Sequence, residues 1–234
     1  GLANQELELR YQPIVDLRTG RVAKVEALLR WQRAGSGPQR SVELLEMAEK
    51  SGLIEPLTRW ILGESARAAE RIGRDREPIV VSTNLSMRNL RNDDLLTFIG
   101  LLAGTGELPC NLIEVELPEG ELTADSARAE YVVGALRALG LGVVVDDFGT
   151  GYMSIEEMSA LAVTGIKIDR GYTTAIASVP AEAEAVGWAI GVAHDLGVPV
   201  TADGVADADS LSMLAEMGCD LAQGLHLSEP VTFE

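Results

Sequence analysis

The segment LELRYQPIVDLRTGRVAKVEALLRW, Leu7 to Trp31, decides the fold. It contains two apolar, β-branched runs, LELRYQPIVD from Leu7 and RVAKVEALLRW from Arg21, divided only by Leu17-Arg18-Thr19-Gly20. A parallel crossover needs about a dozen residues or more, so this link is a hairpin and the first strand runs antiparallel to the second. Six further runs of the same kind follow: IVVSTNLS from Ile79, LIEVELPE from Leu112, GVVVDDFG from Gly142, GIKIDR from Gly165, VPVTADGV from Val198 and CDLAQGL from Cys219. Helical periodicity fills the gaps, as in SVELLEMAEKSG, TRWILGESARAAERIG, SARAEYVVGALRALG ending on Gly140, and AEAEAVGWAIGVAHDLG ending on Gly197. Such alternation predicts an α/β fold with a mostly parallel sheet and helices outside it. Eight strands close a (β/α)8 TIM-type barrel or form an open doubly wound sheet, and the pattern accommodates both.

No low-complexity linker interrupts the 234 residues, which predicts a single domain over 1–234. Aromatics make up 4% against a hydrophobic fraction of 47%, so the core is built mainly of Ala, Val, Leu and Ile. The formal net charge of -17 repels phosphate backbones and argues against duplex nucleic acid as a partner. A phosphorylated ligand then needs metal ions or a few well-placed Arg and Lys residues. Most of the acidic surface serves solubility. Cys110 and Cys219 lack motif spacing and read as reduced structural residues of a cytoplasmic protein. No apolar run reaches the roughly 18 residues of a membrane span, and no signal peptide is evident. The first strand starts so near Gly1 that the chain reads as an excised domain.

Functional groups of parallel α/β folds sit at the carboxyl ends of the strands. There the sequence places Glu26, Asn84, Glu116, Asp146 with Asp147, Lys167 with Asp169, Asp203 and Gln223. One Asp or Asn at a strand end serves simply as a cap for the next helix; a run of seven such ends points to a site. Convergent carboxylates either take up protons or bind cations. With oxygen donors only, and no Cys or His among them, Mg²⁺ or Mn²⁺ fits better than zinc or copper. The adjacent Asp146 and Asp147 invite two ions with a bridging carboxylate, the arrangement that activates water for phosphodiester cleavage. Lys167, the one cation in the set, either orients that water or forms a structural ion pair with Asp169 or another acid. DDFGTGY, Asp146 to Tyr152, is a loop able to turn tightly but lacks the ending of a nucleotide-triphosphate loop. His194 and His226 read as surface or packing residues, and no Ser sits in a nucleophile elbow.

The ordered motifs resemble the EAL-domain family of bacterial cyclic di-GMP phosphodiesterases. They are YQPIVDL from Tyr11, Glu26-Ala27-Leu28, AEKSGLI from Ala48, NLS from Asn84, DDFGTGY from Asp146, KID from Lys167 and QG from Gln223. The resemblance implies a barrel with an antiparallel first strand and hydrolysis of cyclic di-GMP to linear pGpG with Mg²⁺ or Mn²⁺, as two ions. It implies metal ligation by Glu26, Asn84, Glu116, Asp146 and Asp147, and catalytic roles for Lys167, Asp203 and Glu26. Gln12, Leu28, Arg30, Asp169 and Gln223 correspond to substrate contacts, and Glu119 to the acid that steadies the DDFGTGY loop. It also implies an attached sensory or GGDEF-type domain, and a homodimer for which Met153, Ile155 and Met158 offer an apolar face unless they are helix core.

Four positions depart from the family pattern. Glu116-Leu117-Pro118-Glu119 stands for ExTE, and Ala202-Asp203-Gly204-Val205-Ala206 for AEGVE, while Leu225 replaces an aromatic. Asp203 is one methylene shorter than Glu, which withdraws its carboxylate by roughly 1–1.5 Å, and a misplacement of about 1 Å can cost ~100-fold in rate. Three readings follow: a phosphodiesterase, a cyclic di-GMP receptor without useful turnover, and a scaffold that has lost the ligand.

Overall fold

A computed structural model of the chain describes residues 6–31, 41–73, 77–91, 93–150 and 153–232. Gly1 and the Gly151-Tyr152 end of DDFGTGY lie outside the described residues. The strands are β1 (Leu7–Asp16), β2 (Val22–Trp31), β3 (Val80–Asn84), β4 (Ile113–Pro118), β5 (Gly142–Phe148), β6 (Gly165–Ile168), β7 (Val200–Ala202) and β8 (Leu221–Ala222). They form a closed barrel in chain order, which settles the choice against an open sheet. β1 is antiparallel to β2 from Leu7↔Trp31 to Val15↔Val22, and antiparallel to β8 through Val15↔Ala222 and Asp16↔Leu221. All other neighbours are parallel.

The short hairpin enforces this arrangement. Its turn closes through the Gly20 amide donating to the Asp16 carbonyl at 2.8 Å and the Thr19 amide donating to the Asp16 carboxylate at 2.7 Å. The Thr19 hydrogen bond holds the Asp16 carboxyl below its usual range. The segment after β8 doubles back along β1, where Tyr11 and Val231 exchange backbone hydrogen bonds of 2.7 and 2.9 Å. β7 and β8 are shorter than their apolar runs because regular pairing ends just where the chain turns to present Asp203 and Gln223.

Outside the barrel lie α1 (Ser41–Ser51), α2 (Ile54–Gly73), α3 (Asp94–Thr105), α4 (Glu119–Ala124), α5 (Ser126–Ala138), α6 (Ile155–Ala160), α7 (Arg170–Ala175), α8 (Pro180–Asp195) and α9 (Ala208–Glu216). α2 buries Leu57, Ile61, Leu62, Ala66 and Ala69, whose spacing draws one stripe against the sheet. α6 starts at a capping box in which Ser154 and Glu157 satisfy each other's backbone amides. The core lies between strands and helices, with Leu62, Leu90, Leu95, Ile99 and Leu136 fully buried. Met153 and Met158 belong to this core, while Ile155 is 43% exposed, so two of the three residues of the expected apolar face are buried in the core. Cys110 and Cys219 are both unpaired, and burial lifts the Cys219 thiol to about 12. Among the described residues no helix is long and apolar enough to cross a membrane.

The barrel interior departs from the apolar layers usual in such folds. β2 and β4 project Lys24 and Glu26, Glu114 and Glu116, all buried. Lys24 and Glu114, near the amino ends of their strands, form an ion pair of 2.5 Å with side chains only 10% and 11% exposed. Breaking a buried pair by removing one partner leaves an uncompensated charge. Lys24→Met is therefore expected to lower unfolding stability in urea by about 3–5 kcal/mol, and the double variant Lys24→Met/Glu114→Leu is expected to recover most of that loss.

Candidate active site

Parallel register aligns the polar strand ends at the carboxyl rim. Asn84 pairs with Glu116, Pro118 with Asp146, and Lys167 with Thr201, while Gln12 faces Glu26 across the hairpin. At the centre stands Lys167, 4% exposed, with its ammonium 2.8 Å from Glu26, 2.8 Å from Glu116 and 3.9 Å from Asp146. Glu26 also accepts from Asn84 at 2.7 Å and from Gln223 at 2.6 Å. Gln223 donates further to Gln12 at 3.0 Å, and Gln12 to the Ser228 carbonyl at 3.0 Å. The Gln223 carbonyl oxygen is buried without a partner, so the ring keeps an unsatisfied acceptor.

Ser82 was not among the predicted site residues. It lies fully buried and donates to Glu116 at 2.6 Å. The alternation of β3 held the signal, because Ser82 sits two residues before Asn84 and hence on the same inward face.

The predicted residues divide into two groups. Glu26, Asn84, Glu116, Asp146, Lys167, Gln12 and Gln223 converge at the centre through the contacts above. Leu28 and Arg30 continue the inward face of β2 toward the rim; both are half-buried, and the Arg30 guanidinium donates to the Leu29 carbonyl at 2.9 Å. Asp169 caps α7, accepting from the Gly171 amide at 2.8 Å. Glu119, 1% exposed, accepts from the amides of Gly149 and Met153, each at 3.0 Å, and so ties the DDFGTGY loop to α4. Asp147 sits in the left-handed region at φ 52°, with its amide donating to the Asp146 carboxylate at 2.9 Å.

Burial and mutual repulsion set the protonation of this ring. Burial alone raises Glu26, but the Lys167 charge and the hydrogen bonds from Lys167, Gln223 and Asn84 outweigh it and keep Glu26 low. Burial and the Glu26 charge push Glu116 up to about 8 in spite of Lys167. Burial raises Asp146 and Asp203, each with added repulsion from Glu26. Asp147 rises to about 6 through burial and then the Asp146 charge. Burial disfavours the Lys167 ammonium, yet the acids around it hold its pKa well above the usual lysine value. One lysine thus faces more carboxylates than it neutralises.

The donor set suits a hard divalent cation: carboxylate oxygens, the Asn84 amide, an unpartnered Gln223 oxygen and protonation that a cation would displace. Among the described residues no three His, Cys, Asp or Glu side chains converge on one ion-sized point, because Glu26 and Glu116 are drawn onto Lys167.

A profile described as EAL domain matches residues 1–230. The chain belongs to the EAL domain family. A cyclic di-GMP phosphodiesterase of Pseudomonas aeruginosa is 33% identical over 95% of this chain and 38% of its own length. Cyclic di-GMP phosphodiesterase PdeR of Escherichia coli is 31% identical over 98% of this chain and 35% of its own length. The chain therefore spans little more than a third of these relatives. The structure of the PaMucR phosphodiesterase in its c-di-GMP complex superposes with a TM-score of 0.93 at 29% identity, covering 98% of this chain and 94% of that one. EAL domains are TIM barrels, and the barrel with its antiparallel β1 conforms to them.

The raised acids have a consequence for stability. A carboxyl with a higher pKa folded than unfolded binds its proton more tightly in the native state, so stability falls as pH rises between the two values. For Glu116 the window runs from the ordinary glutamate range to about 8, and for Asp147 from the aspartate range to about 6. Without divalent cations the melting temperature is expected to drop as pH rises from 5 to 8, roughly the span between the ordinary carboxyl value and that of Glu116. Added Mn²⁺ is expected to raise it most at the upper end. A melting temperature that climbs over that range in chelator contradicts this account.

Proposed function

We propose that this EAL domain hydrolyses cyclic di-GMP to linear pGpG, using Mg²⁺ or Mn²⁺, as two ions, held by Glu26, Asn84, Glu116, Asp146 and Asp147. The observation that carries the reading is the buried Glu26–Lys167–Glu116 cluster at the strand ends, with Asp146 and Asn84 against it. Divalent cations there supply charge neutralisation on the phosphodiester and acidification of water. The protein's own groups do the rest. Lys167 neutralises charge beside the reacting phosphate and orients water between the acids. Gln223 fixes the Glu26 carboxylate and offers its free oxygen as an acceptor. Gln12, Leu28, Arg30 and Asp169 line the path along which the dinucleotide lies, with the Arg30 guanidinium suited to a phosphate. Glu119 holds the DDFGTGY loop in the shape that presents Asp146 and Asp147.

Three of the four departures leave this machinery intact. Pro118 adopts φ -60°, the value its ring prefers, and Glu119 beyond it still reaches both loop amides. Ala206 is exposed beside the Asp207 cap of α9, where a missing side chain leaves no cavity. Leu225 is 70% exposed and offers a smaller apolar contact than an aromatic ring. Asp203 is different. It acts on Lys167, Glu26 and Asp146 as a charge, yet among the described residues it forms no ion pair with Lys167 of the kind that Glu26 and Glu116 form. This shortened acid favours a second reading, a receptor that binds cyclic di-GMP without useful turnover.

Chromatography of cyclic di-GMP incubated with purified protein and Mn²⁺ or Mg²⁺ separates the two. We expect pGpG to form and Glu26→Ala to lower kcat/KM at least ~100-fold, as misplacing or losing a group at the reacting centre does. Asp203→Glu is expected to raise kcat by about tenfold or more, since it restores a carboxylate roughly 1 Å further into the site. Saturable binding with no product in either protein establishes the receptor.

A further inference from the structure

α7 touches two loops that carry site acids, through consecutive side chains. The Tyr172 hydroxyl donates to the Gly149 carbonyl at 2.6 Å. The Thr173 hydroxyl, fully buried, donates to the Asp203 carbonyl in a short hydrogen bond and to the Arg170 carbonyl at 3.3 Å. Gly149 is thereby gripped at both ends, its amide by Glu119 and its carbonyl by Tyr172. The grip leaves no space: at φ +101°, a Cβ on Gly149 would lie 2.9 Å from the Tyr172 ring. The second loop is equally close, because a Cβ on Gly204 would lie 2.5 Å from the Arg170 Cβ.

The gripped loop carries a non-glycine residue in the left-handed region. Asp147 is a non-glycine residue at φ 52°, a conformation costing roughly 1 kcal/mol. Within the loop it is restrained by Thr150, whose hydroxyl donates to the Asp147 carbonyl at 2.7 Å. From the α8 side, Trp188 stacks on Phe148 with ring centroids 5.6 Å apart. Phe148 follows Asp147 directly, so Thr150 and the Phe148–Trp188 stack pin the carboxyl side of the strained residue, while its amide bonds the Asp146 carboxylate.

We propose that Tyr172 and Thr173 are paired positioning residues that fix, from one helix, the separation between the Asp146-Asp147 pair and Asp203. Neither touches the reacting atoms. They act through backbone carbonyls, and because they are adjacent on a single turn, a displacement of α7 moves both acids together. This rests on the reading of the site as one that binds divalent cations and cleaves cyclic di-GMP.

The test uses the whole chain with Tyr172→Phe, Thr173→Val and Thr173→Ser, the last keeping the hydroxyl. Three quantities are compared with wild type: amide exchange at Gly149, Met153 and Gly204 in chelator, the Mn²⁺ concentration for half-saturation by calorimetry, and kcat at saturating Mn²⁺. Tyr172→Phe is expected to speed exchange at Gly149 and Met153, and Thr173→Val at Gly204. Tyr172→Phe raises the half-saturating Mn²⁺ by about three- to tenfold, the worth of one hydrogen bond, whereas Thr173→Val, acting on Asp203, lowers kcat by a similar factor, and Thr173→Ser behaves as wild type. A lower melting temperature with unchanged exchange, unchanged Mn²⁺ half-saturation and unchanged kcat assigns both residues a merely structural role and overturns the proposal. If wild type leaves cyclic di-GMP uncleaved while exchange and Mn²⁺ half-saturation shift as stated, the functional reading fails and the positioning role stands. If wild type binds no Mn²⁺, exchange in chelator alone decides.

Discussion

The Lys167 ammonium, shared between Glu26 and Glu116 at the centre of the barrel, is the interaction around which the remaining polar structure is arranged. Burying carboxylates beside one another is costly unless a cation or a proton intervenes. A single lysine offsets part of that cost, Asn84, Gln223 and Ser82 satisfy further lone pairs, and a proton on Glu116 takes up some of the rest. The site is therefore electrostatically incomplete by construction. The marks of that incompleteness are the unpartnered Gln223 oxygen and the raised Asp146 and Asp147 carboxyls.

A barrel can afford such an interior only because its apolar core lies elsewhere, between strands and helices. The same separation lets the end remote from the site carry the Lys24–Glu114 pair. Two layers of charge are thus stacked inside one barrel. The lower is closed on itself as one acid and one base, whereas the upper carries an excess of acid that a ligand must answer.

Much of this was legible in the chain. The link Leu17–Gly20 is too short for anything but a hairpin, and that alone dictated an antiparallel β1. Polar residues ending successive apolar runs marked the rim, because strand direction and pleat place them there. Closure of the sheet was beyond the alternation pattern, which an open sheet shares; pairing of β1 with β8 is a long-range event that leaves no local trace. Ser82 was readable from its spacing to Asn84 but carries an ordinary residue type. The contacts of Tyr172 and Thr173 depend on how a six-residue helix seats against two loops, which no periodicity encodes. Asp169 met the same strand-end pattern, but its capping of α7 depends on the turn that follows and was not marked by that pattern.

The antiparallel first strand also changes which way the polypeptide arrives. In an all-parallel barrel the leading strand starts at the end away from the active rim. Here Leu7 pairs with Trp31, so the chain enters beside the carboxyl end of β2, and Glu6 accepts a hydrogen bond from the Trp31 indole at 2.9 Å. Tension or torque transmitted along the backbone ahead of Leu7 would be delivered at the mouth, next to the strand that carries Leu28 and Arg30. The topology makes the point of entry of the chain a lever on the rim that carries the candidate site, rather than on the end that carries the Lys24–Glu114 pair.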